Sequence, residues 1–218
     1  MRKRAPRAGR EVDPLDELGA AVAAALGGPP PAEVLERFSR YLDLLAKWNR
    51  VHRLVGPRST AAIVRDLFID SLAFLRVLPG GPISIVDLGT GVGIPGIPIK
   101  LVRPEVDLTL VEPRRKCVSF LGEVKRSLGL LDVRIMEGRA EDLLKASPGE
   151  SETRDVAISR ALGAVILGPA RDWVKPGGTV ILSGPPPGTR PVDPGSGLEE
   201  EVVVGPRGRR AFLIARRD

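Results

Sequence analysis

Two residue types that build metal centres and nucleophilic sites are almost absent from this chain of 218 residues. Cys117 is the only cysteine and His52 the only histidine. No internal disulfide and no cysteine-based zinc cluster can form, and a lone imidazole cannot hold a metal, so no metal is expected. Also missing is any apolar run of the roughly 20 residues needed to span a membrane. The amino-terminal MRKRAPRAGR lacks the apolar segment of a secretion signal. These absences predict a cytoplasmic protein with no membrane partner. The length suffices for one α/β domain with a good core plus a smaller appendage.

Charge is present but unevenly placed. Of the net +6, Arg2, Lys3, Arg4, Arg7 and Arg10 contribute +5, and Arg207, Arg209, Arg210, Arg216 and Arg217 less Asp218 contribute +4. The body between them therefore carries −3. Two basic ends on an acidic body point to contact with a polyanion at the periphery, nucleic acid above all. A solvated tail is the other reading of residues 1–10. Phosphate contacts are expected from the amino-terminal arginines, from a basic helix beginning at Arg114 and from the terminal hairpin.

The chain is organised around residues 83–96, ISIVDLGTGVGIPG. A β-branched run reads as a buried parallel strand, ends in Asp87, and breaks into glycines at 89, 91, 93 and 96. Such a loop turns sharply and lets a ligand lie against bare main chain. Gly91, Gly93 and Gly96 satisfy G-x-G-x-x-G, so a dinucleotide is one candidate. Asp87 speaks against it, because a carboxylate at the mouth of the loop repels a pyrophosphate but suits an ammonium and a sulfonium. S-adenosylmethionine carries both. Glu112, at the end of the next strand, can accept from ribose hydroxyls in either case.

In chain order, residues 14–26 predict a short helix, 32–48 an amphipathic helix with Phe38, Tyr41, Leu42 and Leu45 inward, and 59–78 a second long helix capped by Ser59 or Thr60. Strands follow at 83–87, 106–111, 133–136, 155–159 and 179–182, with a basic helix over 114–128. Ala140, Glu141, Asp142, Ser159 and Arg160 leave carboxyl ends of strands and should converge on the glycine loop. Residues 199–204 and 211–215, joined by Gly205-Pro-Arg-Gly208, predict a hairpin. A long proline- and glycine-rich loop covers 184–197. The expected organisation is a mobile basic tail with a short helix (1–31), a helical cap (32–80) and a ligand-binding domain (81–218).

A parallel sheet finished by an antiparallel hairpin resembles the Rossmann-like class I methyltransferase fold, with seven mostly parallel strands behind a small helical element. The resemblance then narrows. Trp48-Asn49, Asp70-Ser71-Leu72, Asp87-Leu-Gly-Thr-Gly-Val-Gly-Ile-Pro-Gly96, Arg103-Pro104, Leu110-Val-Glu-Pro-Arg-Arg-Lys116 with Phe120-Leu121, Gly138-Arg-Ala-Glu141 and Ile158-Ser-Arg-Ala161 stand in order and spacing over residues 30–183. Together they resemble the RsmG (GidB) family, which methylates N7 of a guanine in small-subunit ribosomal RNA.

That resemblance implies S-adenosylmethionine as cofactor, with contacts at Gly89, Ile94, Ala140, Glu141 and Arg160 and with Glu112 at the ribose. The loop chemistry adds Asp87, Gly91 and Gly93. It also implies ribosomal RNA or the small subunit as partner and a monomeric enzyme. No catalytic base is assigned, and Arg160 is the candidate for positioning the substrate. Three departures lie on the expected RNA side: Asp66 and Leu67 stand where the family usually has Arg-His, Ser183 where it has lysine, and Arg53-Leu54-Val55 where it has Asn-Leu-Thr. A relative of the same fold acting on another substrate, or a non-catalytic RNA-binding relative, is the alternative.

Overall fold

In the centre of one sheet, short apolar runs form strands because their side chains are buried on both faces, as in the first, second and fourth strands. The strands are β1 (Ser84–Leu88), β2 (Asp107–Glu112), β3 (Arg134–Glu137), β4 (Arg154–Ser159), β5 (Val174–Ser183), β6 (Glu199–Gly205) and β7 (Gly208–Arg216). The structure is a computed structural model that describes residues 12–160, 163–183 and 197–218. The basic tail at 1–10 and nearly all of the loop at 184–197 lie outside the described residues. The sheet order is β3-β2-β1-β4-β5-β7-β6. The first five strands pair in parallel, and β7 enters antiparallel between β5 and β6. A dinucleotide dehydrogenase would instead repeat β-α-β units, so the topology is that of a class I methyltransferase. The chain reverses direction across the sheet between β1 and β4, which opens the loop after β1 at the switch point where ligands bind.

One face of the sheet carries the amino-terminal helices. Helix α1 (Pro14–Leu26) is capped by Asp13, whose Oδ1 accepts from Leu15 N at 2.8 Å, and stops at Gly27 in the left-handed region. A mobile segment was the expectation for this stretch, but α1 is docked. Leu18 and Val22 are fully buried, and Arg65 Nε donates to Glu17 at 2.6 Å. Helix α2 (Ala32–His52) runs one turn beyond the predicted end and buries Phe38, Tyr41, Leu42 and Leu45. These side chains share a core with Ile85, Leu108, Ile158 and Phe212 of the sheet. Helix α4 (Gly96–Val102) and α5 (Arg115–Ser127) complete this face. The opposite face packs Val86, Leu88, Ala157 and Val180 on Ala140 of α6 (Ala140–Ala146) and on Trp173 of α7 (Leu167–Trp173). Among the described residues no helix is long and apolar enough to cross a membrane.

The second long helix is not continuous. It is α-helical only over α3 (Thr60–Ile63), then forms a π-helical stretch (Val64–Ile69) and a 3₁₀ turn (Leu72–Arg76). Ser59 is the cap, its Oγ accepting from Ala62 N at 3.2 Å. The wider π turn advances the phase of the helix, so Phe68, Ile69 and Phe74 face the core while Leu67 and Leu75 are only half-buried. Ser71 Oγ donates back to Leu67 O, a bond that bends helices. Strand β5 also begins earlier than predicted. Val174 pairs with Arg154, but the next pair is Thr179 with Val156, so Lys175-Pro-Gly-Gly178 bulges out of the register.

Candidate active site

The loop after β1 is held by backbone hydrogen bonds, with Gly89 and Gly91 half-buried and the rest of it buried. Gly89 N and Thr90 N both donate to Val111 O, at 2.9 and 3.1 Å, and Gly93 N and Ile94 N both donate to Thr90 O at 3.0 Å. Gly89, Gly91 and Gly93 have φ of 70, 63 and 96°, a region closed to most side chains. At Gly93 a Cβ would also fall 2.3 Å from Ile97 Cδ1. From behind, Tyr41 on α2 donates its hydroxyl to Val92 O at 2.5 Å. Burial, and the nearby Asp87 carboxylate, push that hydroxyl well above its usual range.

Asp87 shapes the loop from beneath. It is fully buried, and its Oδ2 accepts from Thr90 Oγ1 at 2.6 Å and from Gly96 N at 2.9 Å. Oδ1 has no partner among the described residues. Gly96 is required by this contact, because a Cβ there would lie 2.8 Å from both Asp87 Oδ2 and Leu110 Cδ2. Burial raises the Asp87 pKa from 3.8 to about 7, against the Thr90 and Gly96 hydrogen bonds that favour the ionised form.

Glu112 ties the loop to the end of β2. Its Oε2 accepts from Gly91 N at 2.8 Å, and its Oε1 accepts from Arg114 N at 3.0 Å and Arg114 Nε at 2.7 Å. The carboxylate is buried while the Arg114 side chain is mostly exposed. Gly138 N donates to Glu112 O at 3.1 Å, which brings the end of β3 alongside. A cavity of about 400 Å³ opens here, with Gly89, Glu112 and Gly138 in its floor and Ala140 and Glu141 at its side. Val111, Ile166 and Pro169 add an apolar wall.

Of the predicted residues, Gly89, Glu112, Ala140 and Glu141 line this cavity, and Gly91 reaches it through Glu112. Gly93, Ile94 and Asp87 support the loop from inside. Ser159 Oγ donates to Leu88 O at 2.8 Å and is buried. Arg160 turns elsewhere: its Nη2 donates to Asp66 O at 2.6 Å and lies 3.1 Å from Asp70 Oδ2. Arg210 of β7 joins it, donating to Asp70 Oδ2 and to Ser183 Oγ, each at 3.0 Å, and Arg207 pairs with Asp66 Oδ1 at 2.5 Å. Two of the departures, Asp66 and Ser183, are thus partners of hairpin arginines. Sequence reasoning missed this cluster and the Tyr41 tether. The signals available were the acid at 66 and a tyrosine hydroxyl inside an apolar stripe.

The comparisons agree with this geometry. The family model described as GidB, rRNA small subunit methyltransferase G, matches residues 34–182. Relatives called ribosomal RNA small subunit methyltransferase G include one from Methylobacillus flagellatus, 37% identical over 142 residues (65% of this chain, 66% of the relative). Another, from Clostridium kluyveri, is 38% identical over 157 residues, 70% of this chain and 66% of the relative. A third, from Desulfitobacterium hafniense, is 36% identical over 171 residues, 78% of this chain and 66% of the relative. The match therefore spans just under two thirds of the length of these relatives. Among solved structures, a SAM dependent methyltransferase from Aquifex aeolicus superposes with a TM-score of 0.53 at 16% identity, over 77% of this chain and 97% of that one. TrmN from Thermus thermophilus gives 0.50 at 18% identity, over 68% and 48%. These two share the fold alone; the matched family model, over more than half of the chain, shows that the chain belongs to the GidB family, rRNA small subunit methyltransferase G.

Proposed function

We propose that this protein transfers a methyl group from S-adenosylmethionine to N7 of a guanine in small-subunit ribosomal RNA. The observation that carries the reading is the cavity at the switch point, where the Glu112 carboxylate meets a bare glycine loop in a chain of this family. The residues present fit an adenosine. Val111, Ile166 and Pro169 offer an apolar wall for a flat purine, and Gly89 borders the same cavity without a side chain. Glu112 has capacity for a ribose hydroxyl, because two carboxylate oxygens offer about four acceptor positions and three are taken. A second hydroxyl would be admitted by swinging the exposed Arg114 side chain aside.

When bound, S-adenosylmethionine supplies the sulfonium methyl. Guanine N7 has an in-plane lone pair that is unprotonated at neutral pH, so the chain needs no general base. What it must supply is alignment and exclusion of water, effects worth up to ~7–11 kcal/mol. The hydrogen-bonded loop, tethered by Tyr41 and Glu112, is rigid enough to hold that alignment. A ribosomal substrate carries with it a cytoplasmic location. The test is methyl transfer to isolated small subunits, to naked RNA and to a panel of metabolites, with the product mapped on the RNA. A labelled guanine N7 in the RNA is the expected result. Label appearing only in a metabolite or protein would overturn it.

A further inference from the structure

The arginines of this protein divide into those engaged by acids and those that are not. At the hairpin, where phosphate contacts were expected, Arg160 and Arg210 share Asp70 and Arg207 holds Asp66. On α5, Arg114 is held by Glu112 and Arg126 by Glu123, while Arg115 of α5, Arg139 after β3 and Arg209 of β7 have no acid among the described residues but do not share one concavity with each other. The guanidinium groups of Arg50, Arg53 and Arg58 have no acid and no hydrogen-bond partner among the described residues, and all three surround one concavity of about 770 Å³. Its lining is completed by Ala46, Asn49, Leu54, Val55 and Gly56, with no carboxylate.

This concavity is built rather than incidental. Asn49, nearly buried, donates from Nδ2 to Pro57 O and accepts at Oδ1 from Val55 N, both at 2.9 Å, so the loop after α2 is clamped into a curl. Leu54 is anchored in the core. Arg53 caps α2 in the left-handed region, with φ of 51°. A cation in the last turn of a helix offsets its dipole, which accounts for Arg50. It does not account for Arg53 and Arg58, which lie beyond the helix. Arg58 stands two residues before α3, whose chain continues through the π-helical stretch to Asp66, and Asp66 O receives Arg160 from the carboxyl end of β4.

We infer that Arg50, Arg53 and Arg58 form a phosphate-binding pocket for the backbone of the substrate RNA, held in shape by Asn49. The inference rests on the RNA-methylating reading above and names where that RNA is gripped. Unpaired guanidinium groups pay no desolvation of an existing ion pair on binding, and each phosphate neutralised releases condensed counterions. Leu54 and Val55 give the pocket an apolar floor on which a ribose or base can rest.

The test compares the full chain with Arg50→Gln/Arg53→Asn/Arg58→Gln, asparagine being chosen at 53 because it tolerates the left-handed region. Binding of a ribosomal RNA fragment is titrated at two salt concentrations, with S-adenosylmethionine affinity and thermal unfolding as controls for folding. If three phosphates are contacted, the parent should lose roughly 20-fold more affinity than the variant on going from 50 to 200 mM salt, since single strands give a slope near −0.7 per phosphate. Asn49→Ala should weaken RNA binding while retaining most of the salt slope, because it loosens the curl without removing charge. Identical curves for parent and triple variant would overturn the pocket while leaving the methyltransferase reading intact, provided methyl transfer to RNA persists. If the parent neither binds nor methylates RNA, both fall. A polyglutamate that competes as well as RNA and loses equally in the triple variant would reassign the pocket to an acidic protein.

Discussion

Replacing Asp87 by asparagine should change how stability responds to pH. The carboxyl is fully buried, and burial raises its pKa to about 7, with Glu112 acting in the same direction and Thr90, Gly96 and Arg160 against it. In the unfolded chain it titrates near 3.9. Between these values the folded protein holds a proton that the unfolded chain has released. The contribution of Asp87 is therefore most favourable below about pH 4, declines as pH rises to about 7, and is level above that. At 1.36 kcal/mol for each tenfold in proton affinity, the decline is about 4 kcal/mol. Asparagine keeps one oxygen for Thr90 and Gly96 and cannot ionise, but its amide nitrogen takes the place of Oδ1, which has no partner. Burying that donor costs about 1–3 kcal/mol. Above pH 7 the variant should be the more stable protein by about 1–3 kcal/mol, and the difference between the two should vanish or reverse near pH 4. Urea unfolding across this range measures it. Parallel curves would mean that Asp87 is ionised throughout, and the argument from burial would be refuted.

Glu112→Ala should weaken S-adenosylmethionine binding by ~1.5–3 kcal/mol, the worth of a hydrogen bond to a charged group, as read by calorimetry; an unchanged dissociation constant would confine Glu112 to bracing Gly91. Gly96→Ala should destabilise the fold by about 1–3 kcal/mol in urea unfolding, because its Cβ meets Asp87 and Leu110 at 2.8 Å; a variant as stable as the parent would show that the loop shifts freely. Asp66→Arg sets like charges together at Arg207 and should lower the unfolding midpoint, with Arg207→Glu restoring it. Failure of the double variant to recover would show that the 66–207 contact contributes nothing.

The parallel core was legible because β-branched runs punctuated by glycine have few other structures open to them. Glu112 was found because it ends a strand one crossover after the glycine loop, and the hairpin because Gly205-Pro-Arg-Gly208 permits little else. The π turn was not legible. Ile63, Leu67, Leu72 and Leu75 satisfy a continuous helix, and only packing of Phe68 against Phe38 and Tyr41 reveals the phase change. Helix α6 is seven residues long, too short for a period to show. Val165, Ile166 and Pro169 reach the cavity through tertiary packing, which no local pattern encodes.

Arg160 shows why position in a loop does not give direction. It follows β4 directly and acts on the Asp87 carboxyl beneath the glycine loop, yet its hydrogen bonds are made elsewhere. A guanidinium goes where acceptors are, and the nearest are set by residues ninety positions earlier: Asp66 O and the Asp70 carboxylate, which also draws in Arg210 from β7. The cluster carries three cations against two acids, so its residual charge is small. An exposed pair such as Arg207 with Asp66 contributes about a few tenths of a kcal/mol, yet it occupies one nitrogen of the guanidinium and offsets its charge. Charge counted along the sequence therefore overstates what the hairpin offers to RNA and understates what the end of α2 offers. The acid at 66 and the serine at 183, read alone, look like losses of positive charge from the RNA side. In the fold they receive arginines from the hairpin, and three cations without an acid stand together around the loop after α2, whose curl Asn49 holds.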